Sequence, residues 1–226
     1  TGGGSTKKTQ IALGKWISTA TPLLSSMWVI SLDTLEDLYG SRGRRHVVEC
    51  HQELKRRELL TRWTDLPSDA EIIFVSHEWL SWAHPDPKGE QLYVLCRVME
   101  RLRAGEIDSV EMDMVMSMFY KWNFRTSAEE WKEMLERTYI WFDWLSMPQP
   151  SAEKANSKNI DRIRIEGSKA IRSIPAYVER CDFVMILAPT GYHSERKVST
   201  CYRTWRRRGW CLLELFASMM SRDQSN

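Results

Sequence analysis

The chain has 226 residues, of which 42% are hydrophobic and 27% are charged, and its formal net charge is +2. This length and composition are typical of a globular protein with one sizeable core and an appended segment. The small net charge supplies no global field to attract nucleic acid, so we expect no nucleic-acid partner, and the five irregularly spaced cysteines argue against a disulfide framework and predict a reduced, cytoplasmic location.

Residues 1–66 are predicted to form an extension that precedes the main domain. Its start, residues 1–10, is rich in Gly, Ser, Thr and Lys, a composition typical of disorder. The run Trp16–Leu32 carries no charge, but it contains Pro22 and barely reaches the length of a membrane span. We therefore favour a loop and a strand there, and expect no membrane partner. The predicted elements of the extension are a strand at 27–32 and helices at 34–39 and 47–63.

Residues 67–226 contain three short apolar runs with helical patterns between them. Such runs, bounded by polar residues, are typical of strands in a parallel sheet. The alternation predicts a layered α/β fold, a parallel sheet flanked by helices. A Met-rich stretch at about 106–137 is predicted to be an inserted pair of helices. The predicted strands are 71–76, 139–143 and 182–188, and the predicted helices are 91–103, 160–179 with a break at Pro175, and 206–221.

Polar residues follow the first two predicted strands of the main domain. Ser76 and His77 end the first strand, Trp79 follows in the loop, and Asp143 ends the second strand. Ligands of parallel α/β sheets bind beyond the carboxyl ends of the strands. These residues could therefore line a nucleotide pocket, with Trp79 stacking on a base and Asp143 bonding a ribose hydroxyl. The alternative is structural, because Ser and Asp also cap turns and Trp also packs under loops.

The segment Arg208–Leu215 opens the last predicted helix. At 100° per residue, Glu214 lies opposite an apolar arc and one turn after Trp210. A Trp on the polar face predicts that more protein or a ligand covers this face. Arg208 ends a basic run beside the helix N-terminus, where it could hold a pyrophosphate or simply be solvated. The predicted apolar arc consists of Leu212, Leu215, Phe216, Met219 and Met220.

Two groups of motifs resemble Toll/interleukin-1 receptor (TIR) domains. Residues 72–76, followed by a polar loop and a helix, look like the first TIR box. Residues 181–187 and then 209–215 look like the third strand and the next helix of plant-type TIR domains, in which a Trp-Cys-x-x-Glu run opens that helix. In the enzymatic members this Glu is catalytic for NAD cleavage. The resemblance implies a TIR/flavodoxin-like parallel sheet, with Glu214 catalytic and Trp210 and Cys211 beside it.

The chain also departs from the TIR pattern. The loop 144–150 lacks the usual Arg-Asp and Pro-Gly pattern, no Phe-Trp box is present, and the insertion at 106–137 is foreign to the family. Two of the usual five strands would lie beyond Asn226. Phrases such as 76–80 and 170–177 also resemble proteins of single-celled algae, a similarity that implies no activity.

Two functions are compatible with these residues. The first is an NAD glycohydrolase (NAD+ nucleosidase, a hydrolase) that cleaves the nicotinamide–ribose bond, with NAD or a related nucleotide as substrate and no cofactor. A carboxylate near the ribose hydroxyls would stabilise the developing positive charge. The second is a non-catalytic signalling or protein-interaction module that self-associates. The residues expected to bind substrate around the catalytic Glu214 are Ser76, His77, Trp79, Asp143, Arg208, Trp210 and Cys211.

Two further chemistries stay open on residue types alone. Cys211 could form a nucleophile pair with His77 or His193 if the fold brings them together. A metal site would draw on these side chains with His84 and Cys201, but they lack the short spacing of zinc ligands. We expect no metal, and the chain carries no glycine-rich phosphate loop.

Overall fold

A five-stranded sheet organises the chain in a computed structural model that describes residues 21–40, 43–111, 114, 117–118, 125–153 and 157–221. The strands are β1 (Trp28–Ser31), β2 (Thr61–Arg62), β3 (Glu71–His77), β4 (Ser109–Glu111), β5 (Arg125–Ser127), β6 (Thr138–Phe142), β7 (Phe183–Leu187), β8 (Gly191–His193) and β9 (Val198–Thr200). The helices are α1 (Leu32–Tyr39), α2 (His51–Arg56), α3 (Glu90–Ala104), α4 (Ala128–Leu135), α5 (Asp143–Ser146), α6 (Ile160–Arg172), α7 (Ile174–Val178), α8 (Tyr202–Trp205) and α9 (Gly209–Ser221).

The order of the strands in this sheet is β2-β1-β6-β3-β7. β3 pairs in parallel with both β6 and β7, whereas β1 runs antiparallel to β6 and β2. The fold is therefore mixed α/β, with a parallel centre flanked by helices. Because the three parallel strands point the same way, their carboxyl ends meet at one edge of the sheet.

The two faces of the sheet carry separate apolar cores. Side chains alternate between the faces along β3, so that Ile73 and Val75 face one core and Ile72 and Phe74 face the other. The first core is covered by α1, α3 and α4, and the second by α6 and α7. This alternation explains why β3 has a continuous apolar sequence: both of its faces are buried.

The extension predicted at residues 1–66 supplies part of the same sheet. β1 lies at the predicted position and pairs with β6. The helix predicted at 47–63 is wrong over most of its length, because α2 is short and the chain leaves it through Glu58, whose φ of 58° is left-handed. The chain then enters β2, so the boundary at residue 66 does not separate two cores.

The insertion at 106–137, predicted to be a pair of helices, also contains strands: residues 114 and 117–118 are helical, and β4 and β5 flank them. β4 and β5 form an antiparallel ladder, and α4 follows it. Ser127 and Glu130 form a capping box that starts α4 one residue after β5 ends. Residues 112–113, 115–116 and 119–124 lie outside the described part of the chain.

A second hairpin follows β7. β8 and β9 pair antiparallel, with Gly191 opposite Thr200. In the described ranges no helix combines the length and apolar character needed to cross a membrane. The glycine-rich start at 1–10, and the part of the uncharged run before Thr21, lie outside those ranges.

Candidate functional site

Polar side chains from three distant segments of the chain meet at the carboxyl edge of the sheet. Ser76 and His77 are the last two residues of β3, and Asp143 directly follows β6. Glu214 lies in α9, the helix that follows β7 and the hairpin. The structure thus brings together residues that are up to 138 positions apart in the sequence.

The Glu214 carboxyl is held by a buried hydroxyl. Ser76, which is completely buried, donates a hydrogen bond to Oε2 of Glu214. Burial raises the pKa of Glu214 to about 7; the Ser76 hydrogen bond and the His77 charge oppose this rise, and the negative Asp143 adds to it. This carboxyl therefore exchanges its proton near neutral pH, the range that suits a group acting in catalysis.

His77 and Asp143 form a buried ion pair beside Glu214. Nε2 of His77 lies 2.9 Å from Oδ1 of Asp143, and Nδ1 lies 2.8 Å from Oε1 of Gln91. The Gln91 amide donates to the Glu78 carbonyl, so its oxygen must accept. Since both neighbours of the ring are acceptors, both ring nitrogens carry protons and His77 is an imidazolium.

The pKa values of this pair move in the directions expected for an ion pair. Burial disfavours both charges, but the Asp143 charge and hydrogen bond outweigh it and raise the pKa of His77. In the same way, His77 and the indole N–H of Trp79, which donates to Oδ2 at 2.7 Å, lower the pKa of Asp143 despite burial. The site therefore holds two carboxyl groups whose pKa values are moved apart, lowered in Asp143 and raised in Glu214.

Trp205 is a site residue that sequence reasoning missed. It lies at the end of α8, is completely buried, and donates its indole N–H to Oγ of Ser76 at 3.1 Å. The sequence feature that could have revealed it is a tryptophan inside the arginine-rich run 202–208. That run suggests a solvated face, and only the tertiary structure shows that one of its members points inward.

Glu78 is a second buried group that the sequence did not reveal. Thr204 donates to its Oε2 at 2.6 Å, while Arg196 and Arg208 approach Oε1 at 3.5 and 3.9 Å. Arg208, which we expected beside a pyrophosphate, thus faces a carboxylate. Together these contacts tie the β8-β9 hairpin, α8 and the start of α9 to the end of β3.

Cys211 and Trp210 differ sharply in their surroundings. The buried Cys211 thiol donates to the His77 backbone carbonyl at 3.5 Å, and burial raises its pKa to about 12. Such a thiol is a poor nucleophile, and its partner is the backbone and not the ring of His77. Trp210 is 55% exposed and lies one helical turn before Glu214.

The apolar arc predicted for the last helix is only partly buried. α9 turns Cys211 and Ser218 toward the protein, while Phe216 and Met220 of the predicted arc are 57% and 75% exposed. The prediction was wrong there because α9 is apolar almost all round, so hydrophobicity alone does not define its inner face. Its exposed stripe consists of Trp210, Leu213, Phe216 and Met220.

The fold and the site together assign this chain to a structural class. In the part of the chain that the structure describes, no group of three or more His, Cys, Asp or Glu side chains is placed to hold a metal ion. Comparison with protein-family models, with curated proteins and with solved structures found no match to this chain. The class is a mixed α/β protein with a carboxylate cluster at the carboxyl edge of its sheet.

Proposed function

We propose that this protein cleaves NAD or a related nucleotide at the nicotinamide–ribose bond, with Glu214 as the catalytic carboxylate. The observation that carries the proposal is the hydrogen bond from Ser76 to Glu214 at the carboxyl ends of the parallel strands. It places a titrating carboxylate at the edge where α/β sheets bind nucleotides. The TIR resemblance of the sequence points to the same residue independently.

The chemistry needs only one carboxylate at the reacting carbon. The bond from the ribose C1′ to the nicotinamide nitrogen breaks, and both electrons leave with the ring, which is cationic in NAD and neutral as free nicotinamide. Positive charge then develops on the ribose, and an ionised Glu214 stabilises it. An acceptor takes the ribosyl group on its other face, and the product depends on whether that acceptor is water or another nucleophile.

The other site residues have supporting roles in this proposal. The charges of His77 and Asp143 act on Glu214, and the N–H of Trp79 is already used to hold Asp143. Trp210, which is exposed, is available to stack on a base. Arg208 could reach a phosphate only by giving up its contact with Glu78.

The test is NAD consumption by the concentrated protein, in wild type beside Glu214→Gln. The amide keeps the shape of the side chain and removes its charge, so we expect the rate to fall about 100-fold or more. Glu133→Gln, on the exposed surface of α4, is the matched control and should retain the wild-type rate. Chromatography of the products identifies the ribosyl acceptor.

Each outcome of this test has a distinct meaning. The proposal is refuted if the wild-type protein consumes no NAD, whether alone, under crowding or when forcibly clustered. Turnover that survives Glu214→Gln would place the site elsewhere.

A second candidate function is a non-catalytic interaction module that self-associates. Two observations favour it: the exposed apolar stripe of α9, defined above, and the position of β7 as an edge strand in the described sheet. Large exposed apolar patches mark association surfaces, and open edge strands pair with other strands.

Sedimentation velocity at rising concentration tests this second function. We expect wild type to associate and Phe216→Glu to stay monomeric, because a charge in the stripe would be buried without a partner. Ile165→Glu is the matched control, since Ile165 is equally exposed at 57% but lies on α6. A wild type that is monomeric at every concentration would count against the module.

A further inference from the structure

The Ser76 hydroxyl has contacts on both sides, and their donor and acceptor roles are fixed by chemistry. An indole N–H can only donate, so Trp205 uses one lone pair of Ser76 Oγ. The single hydroxyl proton of Ser76 is then directed to the neighbour that can accept it, which is Oε2 of Glu214. The three side chains form a chain of hydrogen bonds with one direction, from Trp205 through Ser76 to Glu214.

We propose that Trp205 is a positioning residue that acts through Ser76: its buried N–H fixes the Ser76 hydroxyl as a donor to Glu214 and so favours the ionised carboxylate. Without the indole N–H, the hydroxyl can rotate and accept a proton from a neutral Glu214 instead of donating to a charged one. Trp205 does not touch the reacting atoms. Its catalytic meaning rests on the proposed function, whereas its effect on Glu214 does not.

Burial and packing support this role for Trp205. Trp205 and Ser76 are both completely buried, so no water competes for their hydrogen bond. The Tyr202 ring stacks on the indole, with 5.6 Å between the ring centroids and an interplanar angle of 11°. The indole is therefore held in one orientation, which lets it keep the Ser76 hydroxyl in one orientation too. The raised pKa of Glu214 shows that burial alone favours the neutral acid, and the Ser76 hydrogen bond counteracts this.

The test is a titration of the Glu214 side-chain carbon by NMR, with Glu214→Gln identifying its signal. A hydrogen bond to a charged group contributes about 1.5–3 kcal/mol, which corresponds to roughly 1–2 pH units. We expect Ser76→Ala to raise the Glu214 midpoint by roughly that amount, and Trp205→Phe to raise it by about 0.5–1 unit.

The decisive measurement is the double variant Trp205→Phe, Ser76→Ala. Because Trp205 acts through Ser76, its substitution should have no further effect once the hydroxyl is gone. Trp141→Phe is the matched control: Trp141 is equally buried, and its indole N–H has no hydrogen-bond partner among the described residues. Its substitution should leave the Glu214 midpoint unchanged.

Two results would overturn the proposal. One is an unshifted Glu214 midpoint in Trp205→Phe, and the other is a shift of equal size in the presence and absence of Ser76. If the variants fail to fold, the wild type still gives an answer, because its Trp205 indole proton should titrate with the Glu214 midpoint and stop doing so in Glu214→Gln.

Activity gives a separate readout of the same proposal. If the protein cleaves NAD, the rising limb of kcat/KM against pH should move to higher pH in Trp205→Phe by the shift seen in the titration, while the rate at high pH stays near that of wild type. If the protein does not cleave NAD, the proposed reaction is wrong but the titration result still stands. Failure of the proposed function can therefore be told apart from failure of the role proposed for Trp205.

Discussion

At the scale of single residues, the site consists of ionisable side chains that are partly removed from water. His77 is compensated by Asp143, but no cation among the described residues contacts Glu214 directly, so Glu214 relies on the Ser76 hydroxyl. A buried ionised carboxylate without a positive partner costs folding free energy. We therefore expect Glu214 to destabilise the folded protein at high pH, a cost that natural sequences bear at functional positions.

The pH dependence of stability tests this cost. Glu214 has a pKa raised from 4.5 to about 7, so between these values the folded state keeps a proton that the unfolded state has lost. Stability from this group is present below about pH 4.5 and is lost as pH rises to about 7, by on the order of 3 kcal/mol. Urea unfolding at pH 5 and pH 8 should show Glu214→Gln gaining stability relative to wild type by this order.

When wild type is compared with Glu214→Gln, the pH-dependent contributions of the other site residues to stability largely cancel. His77, whose pKa is also raised, loses its contribution to stability as pH rises, but it does so in both proteins. A stability difference between wild type and Glu214→Gln that is the same at both pH values would show that Glu214 titrates normally.

At the scale of elements, the start of α3 connects the extension to the site. Asp86 is completely buried and its carboxylate accepts hydrogen bonds from three backbone N–H groups that open this helix. The capped helix places Gln91 against the His77 ring. Gly89, at the N-cap, has a φ of 66° and lies against the backbone of His46 in the extension.

Two glycine substitutions should separate conformational strain from steric clash. Gly89 and Gly43 both have positive φ, so alanine costs about 1–2 kcal/mol at either position. At Gly89 the new Cβ would also lie 2.1 Å from the His46 carbonyl oxygen, whereas at Gly43 nothing lies within 4 Å. Urea unfolding should show Gly89→Ala less stable than Gly43→Ala by about 2 kcal/mol or more. Equal losses would mean that the extension does not pack on α3.

At the scale of the whole molecule, the extension and the main domain share one sheet and one core. β1 covers the edge of β6, and Ile30 and Leu35 are completely buried beside Ile140 of β6. Removing the extension would expose this strand edge and empty part of the core. The protein is therefore expected to unfold as a single unit.

A chain starting at residue 67 tests this unity. We expect it to lack the near-UV circular dichroism of the full chain, because the extension supplies seven of the 22 buried residues of the first core. In the full chain, Ile30→Ala should lower the free energy of unfolding by about 2–4 kcal/mol in one cooperative transition. Val47→Ala, at a position that is 49% exposed, is the control and should cost less than about 1 kcal/mol. A fragment with native-like spectra would show that the main domain folds without the extension.

The sequence by itself determined the elements whose signal is local. β3, β6 and β7 were predicted because their apolar runs are short and bounded by polar residues, and α3 because its apolar positions follow helical periodicity. The break at Pro175 was predictable because proline lacks the N–H that a helix interior needs; there α6 ends and α7 begins.

Only the tertiary structure decided which residues share the site and how they are protonated. The contact of Ser76 with Glu214 depends on the order of strands in the sheet, and the inward position of Trp205 depends on the β8-β9 hairpin and α8. The inner face of α9 could not be chosen from the sequence, because this helix is apolar on almost all sides. These features arise from contacts between distant segments. Burial and interaction partners set the protonation of the site residues, and neither can be deduced from a local sequence pattern.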